Sequence, residues 1–146
     1  LSFTRLNFGG NTKFMAFPKR VLSPPRIDGL LDEPSWAEAP LVTDFIQFEP
    51  HKGSPATVRT EVRIAYDDAH LYFGFICYDP EPDRLVLGTR RDGLLMGTDS
   101  VTVTLDTFHD MRTAYYFRTN PLGVQHDGRV SDNGRVADTN WDGAQK

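Results

Sequence analysis

The residues with a chemistry of their own gather mainly in the second half of this sequence: Tyr115, Trp141, Arg90, Arg91, Asp92, Arg112, Asn120 and Asp127, with Trp36 standing apart. A pyranose ring presents apolar C–H faces that stack on Trp or Tyr, and hydroxyls that take directional partners such as Arg, Asp and Asn. These residue types suit a sugar-binding surface. Trp36 fits it least, because it lies beside Asp32 with Ala37 and Ala39 and reads as a core plug. Trp141 sits in a polar, Asn- and Asp-rich stretch and reads as readily as an exposed platform. Arg90-Arg91-Asp92 is ordinarily a solvated turn or an internal salt bridge, yet it falls in a long connection before a strand, where binding groups collect.

Other chemistries lack their parts. The sequence contains no Gly-x-Ser-x-Gly elbow, no His-Glu-x-x-His and no phosphate loop ending in Lys-Ser or Lys-Thr. Cys77 lies among apolar neighbours and reads as an inert core thiol. His51, His70, His109 and His126 have no metal-ligand spacing and read as solvated or loop residues. A glycosidase needs two carboxylates facing each other across a sugar; with 20 acidic residues some pair always falls near enough, so the pattern assigns nothing. Catalysis by this chain alone is not expected. Asp127, Asp132, Asn133, Asp138 and Asp142 offer the oxygen ligands a hard cation wants, without the Glu that closes an EF-hand loop. A solvated loop is the plainer reading, with Asp127, Asp132 and Asp138 as calcium candidates.

Several short elements must position these groups. Residues 1–25 read as an arm with one edge strand, punctuated by Gly9-Gly10, Pro18, Pro24 and Pro25. Residues 26–39 predict a turn at Asp28-Gly29 and one short helical turn, with Asp32 as N-cap and Pro34 where a missing N–H costs nothing. From residue 57 to residue 126 the period is two. Val62, Ile64 and Tyr66 face one way, Glu61 and Arg63 the other. Leu71 to Cys77 is apolar on both faces and predicts a central strand. Val101, Val103 and Leu105 point inward from the next strand, followed by Thr113 to Thr119, a turn at Asn120-Pro121-Leu122-Gly123, and Val124 to His126. After Asp127 the composition turns to Gly, Asp, Asn and Arg and reads as loop. The spacing predicts an all-β antiparallel sandwich, immunoglobulin-like or jelly-roll-like.

Composition agrees with one domain. At 146 residues roughly 68–70% of the unfolded surface is hidden on folding. Hydrophobic residues at 39% and charged residues at 25% exclude intrinsic disorder. A net charge of −4 argues against nucleic acid as a partner, since phosphate binding needs clustered Lys and Arg. One cysteine excludes an internal disulfide. The longest nearly apolar stretch, Leu71 to Tyr78, is far shorter than the roughly 20 residues of a membrane helix, and no signal peptide is visible.

Taken in order, the residues resemble a known pattern. Ile27-Asp28-Gly29, Asp32-Glu33 and Trp36 look like the opening signature of carbohydrate-binding module family 9-like domains. Thr60 to Tyr66, Asp67-Asp68, Leu71-Tyr72, Arg90-Arg91-Asp92, Asp99 to Asp106, Tyr116-Phe117, Asn120-Pro121 and Gly123 follow in the same order. The likeness covers residues 26–146 and is greatest to the version at the N-terminus of large bacterial proteins associated with the outer membrane. It implies a β-sandwich in a secreted, periplasmic or outer-membrane setting. It also implies binding of an oligosaccharide or polysaccharide in carbohydrate catabolism, often beside glycoside hydrolases acting on O-glycosyl bonds, with calcium as a structural ion. Asn140-Trp141 best matches a stacking Trp with a polar neighbour, and Arg91 a hydroxyl donor. Relatives continue past this loop into further strands, so the sandwich is expected to lack its last strands. The alternative is a docking domain that has lost its sugar site and sits on an outer-membrane barrel or on other domains of the same protein. A third is a haem-binding sandwich, with Met96 or Met111 and a His as ligands.

Overall fold

The computed structural model of the protein describes residues 16–81, 89 and 98–143. Arg90, Arg91, Asp92 and Met96 lie outside them. The chain is all-β, as the alternation predicts: two antiparallel-rich, four-stranded sheets and one turn of helix among the described residues. None of those residues forms a helix long and apolar enough to cross a membrane. Contacts group the chain into two compact units, Leu1–Pro80 and Glu81–Lys146.

In the first unit the central strand is β3 (Thr60–Tyr66); among the described residues β1 (Lys19–Arg20) and β2 (Leu41–Val42) precede it in the chain. The strand after it, β4 (Leu71–Cys77), runs antiparallel along one whole edge, from Thr60 opposite Cys77 to Tyr66 opposite Leu71. On the other edge β1 lies parallel to Ala65–Tyr66, and β2 lies antiparallel to Val62 and Arg63. The edge strand foreseen in the arm is therefore β1. The central position foreseen for Leu71–Cys77 belongs to β3 instead, since among the described residues β4 pairs with β3 alone. Cys77 closes that strand at its outer end and is exposed, not a core thiol.

The core also departs from the large-residue pattern. Val62 is buried as expected, but the helix α1 (Pro34–Ala37) covers the opposite face of β3. There Ala65, completely buried, packs with Val21, Ala39 and the 2%-exposed Trp36, and Leu31 and Tyr72 lie alongside. Gly74, cross-strand from Arg63, makes room for this layer: a Cβ there would stand 2.7 Å from Leu31 and 3.2 Å from the Trp36 ring. Small residues under one large indole make a core face that period-two counting of large side chains does not register.

The N-cap of α1 is Glu33, not Asp32, and Pro34 opens the helix as anticipated. The Glu33 carboxylate does not cap; it accepts from Arg26, at 3.1 Å from Nε and 3.2 Å from the backbone N–H. At the other end Arg63 Nη1 donates to the carbonyl of Trp36 (3.2 Å), which also accepts the Ala39 N–H at 3.1 Å, and to that of Ala39 (2.5 Å). In the β3–β4 turn Asp67 Oδ1 accepts from the N–H groups of Ala69 and His70, and Oδ2 from the Tyr72 hydroxyl, each at 2.7 Å. The Tyr72 hydroxyl first, then the backbone donors, hold the Asp67 carboxyl down at about 2.

The second unit is a meander in the order β5 (Val101–Leu105), β6 (Ala114–Thr119), β7 (Gln125–Ser131), β8 (Val136–Asp138), antiparallel throughout. The β7–β8 hairpin replaces the loop expected after Asp127. Its turn places Asp132 (φ 51°), Asn133 (φ 56°) and Gly134 (φ 84°) in the left-handed region, which these residue types tolerate best.

Two outcomes follow from the first unit. Arg63→Met is expected to cost about 1–3 kcal/mol in a urea melt, because the Ala39 carbonyl loses its side-chain donor. The stabilisation from ionised Asp67 is complete above the ordinary carboxylate pKa of 3.8 and is lost as pH falls through about 2. Melting midpoints followed across that window should therefore fall more steeply for the native chain than for Asp67→Asn.

Candidate functional site

Alternation along β6 puts Tyr115, Phe117 and Thr119 on one face of the second sheet. The ladder continues that face: Leu105, Val103 and Val101 on β5, and Arg129, Asp127 and Gln125 on β7, stand opposite these three in register. Residues after β8 bring Trp141 onto it. The indole lies 4.6 Å from the Tyr115 ring at 44° and 5.8 Å from the Phe117 ring at 76°, tilted and edge-on geometries that the ring quadrupoles favour.

A buried carboxylate fixes this placement. Asp127, 2% exposed, accepts the backbone N–H of Gly143 through Oδ2, which folds the chain back beneath the indole. A Cβ on Gly143 would stand 2.6 Å from Trp141 and 2.8 Å from Phe117, so only glycine fits. Trp141 is partly buried, with the exposed side chains of Asn140 and Asp142 on either side. The Asn140 N–H donates to Asp138 Oδ1 at 3.1 Å. Arg129, exposed, is the cross-strand neighbour of both Tyr115 and Asp138.

The structure thus joins Tyr115 and Trp141 and keeps Asn140 and Asp127 beside them, while other candidates go elsewhere. Asn120 is buried at the far end of β6, where its Oδ1 accepts from the N–H groups of Leu122 (3.1 Å) and Val124 (3.0 Å). Arg112 is exposed in the β5–β6 turn, before β6 begins. Arg91 and Asp92 lie outside the described residues. Met111, also in the β5–β6 turn, is 82% exposed. Of the calcium candidates, Asp127 and Asp138 each accept a backbone N–H, and Asp132 lies in the β7–β8 turn; among the described residues no three His, Cys, Asp or Glu side chains come together.

Phe117 and Arg129 join the site without having been singled out from the sequence. Phe117 follows Tyr115 by two residues in an alternating strand, which is signal enough to place both rings on one face. Arg129 becomes visible only when Asn133-Gly134 is read as a hairpin turn, since that makes its surroundings a strand.

No family model matches the chain, and neither a curated protein nor a solved structure does. The seat of the indole can be tested directly. Gly143→Ala is expected to cost about 1–3 kcal/mol through overpacking and to raise acrylamide quenching of tryptophan emission. Asp127→Asn, which keeps an oxygen for the Gly143 N–H, should change both less than Asp127→Ala.

Proposed function

We propose that this chain is a non-catalytic carbohydrate-binding module, taking an oligosaccharide or polysaccharide at the surface or in the periplasm of a bacterium. The observation that carries the reading is the braced Trp141. A partly exposed indole is held at a fixed angle by Tyr115, Phe117 and the Asp127–Gly143 bond, with Asn140, Asp142 and Arg129 at its margin. A platform already held in place loses little freedom when a ring stacks on it, and its polar margin supplies directional partners for hydroxyls. The ordered likeness to carbohydrate-binding module family 9-like domains points the same way. Trp141 is the stacking residue in this reading, Tyr115 its support, and Asn140 and Arg129 the hydroxyl partners.

A docking role is the second reading, favoured by the full burial of Trp36 and by exposed Phe17, Leu22, Ile27, Leu30 and Phe48 in the first unit. Calorimetric titration with a panel of mono- and oligosaccharides separates the two. Saturable binding in the millimolar-to-micromolar range, about −4 to −8 kcal/mol, is expected, and Trp141→Ala should remove the share of it that the indole platform carries. The absence of heat from a folded, monodisperse sample would leave the docking role standing instead.

A further inference from the structure

The turns that join β5 to β6 and β7 to β8 lie side by side, tied by the Asn133 N–H donating to the Arg112 carbonyl at 3.2 Å. A cleft of about 270 Å³ opens between them. Ala114 and Val130, cross-strand partners, line it; by the alternation of β6 they belong to the face opposite Tyr115 and Trp141. Around them stand Met111, Arg112, Asn133 and Asp106. Resting on the carbohydrate-binding reading, we infer that this cleft is a second sugar subsite, taking one neutral pyranose unit on the face of the sheet away from the indole.

Size, polarity and charge select that ligand. The volume lies just below the range of pockets for drug-sized molecules, so it suits a single ring. The apolar carbons of Ala114, Val130 and Met111 match the C–H face of a pyranose. The turn bonds through Arg112 and Asn133 use their backbones: the Arg112 N–H donates to Asp110 Oδ1 at 2.7 Å, and the Arg112 carbonyl receives the Asn133 N–H. The guanidinium and the carboxamide take no part in those bonds and supply planar, directional partners for hydroxyls. Asp106 accepts from the N–H groups of Asp110 (3.2 Å) and Met111 (2.7 Å); a carboxylate offers about four lone-pair sites, so two remain for hydroxyl donors. One carboxylate, Asp106, and one guanidinium, Arg112, line the cleft, and Asp110 accepts the Arg112 N–H beside it, so the cleft carries no net positive charge to draw an anionic sugar.

Amide shifts of the ¹⁵N-labelled full chain, titrated with maltose, cellobiose, lactose and glucuronate, test the inference. At least one neutral disaccharide is expected to shift Thr113, Asn133 and Gly134 saturably. Arg112→Ala, which leaves the turn's backbone bonds in place, should weaken that response about tenfold, and Trp141→Ala should leave it unchanged. Shifts confined to Tyr115, Trp141 and Gly143 overturn the cleft and keep the platform, as does an Arg112→Ala variant that binds as before. A glucuronate response in the cleft equal to that of the neutral sugars overturns the neutral-ring assignment. Shifts in the cleft with none around Trp141 keep the cleft and remove the platform, and a complete lack of shifts with all four sugars removes both.

Discussion

A chain whose described residues hold a single turn of helix reverses direction many times, and at each reversal backbone N–H groups leave the ladder and need another acceptor. Here side-chain oxygens take that place. Asp28 accepts from Leu30, Asp67 from Ala69 and His70, Asp106 from Asp110 and Met111, Asp110 from Arg112 and Thr113, Asn120 from Leu122 and Val124, and Asp138 from Asn140. Such Asx turns fix where a strand ends, and so fix its register. A slip of one residue in β6 would carry Tyr115 and Phe117 to the other face and leave Trp141 without its seat. The site therefore depends on turn chemistry as much as on the rings themselves.

That role also explains what the acidic excess does. Backbone donors draw the Asp110 carboxyl below its ordinary value, and with the Tyr72 hydroxyl they do the same to Asp67. Both carboxylates are thereby ionised and committed to backbone donors of their own turns. Asp127 departs from the turn pattern while following its logic: buried within β7, it accepts from a distant amide and turns a trailing segment into part of the sheet face.

Much of this was legible in the residues. Thr60–Tyr66, Val101–Leu105 and Ala114–Thr119 announce themselves because branched and aromatic side chains alternate with polar ones. The β7–β8 hairpin does not, because Gly128, Arg129 and Ser131 are poor strand indicators; their place is set by pairing with β6 and by the Asn133-Gly134 turn. The covered face of β3 was missed for the opposite reason. Ala65 and Gly74 matter through the volume they leave to Trp36, and a hydrophobicity pattern carries no record of absent volume. Tyr115 and Trp141 could be named from type alone. Their contact is a tertiary fact, as is the diversion of Asn120 to a hairpin.

The parallel contact of β1 with the end of β3 carries a kinetic consequence. Arg20 and Asp68, which meet there at 2.6 Å, are 48 residues apart in sequence. Val21, next along the chain, donates to the Tyr66 carbonyl and belongs to the Trp36 cluster. Closing so long a loop costs entropy before its contacts return any stabilisation, whereas the β3–β4 hairpin and the β5–β8 meander join neighbours along the chain. The arm is then the last piece of its core to lock and the first to open, so amide protection at Val21 will report a lower opening free energy than protection within β3.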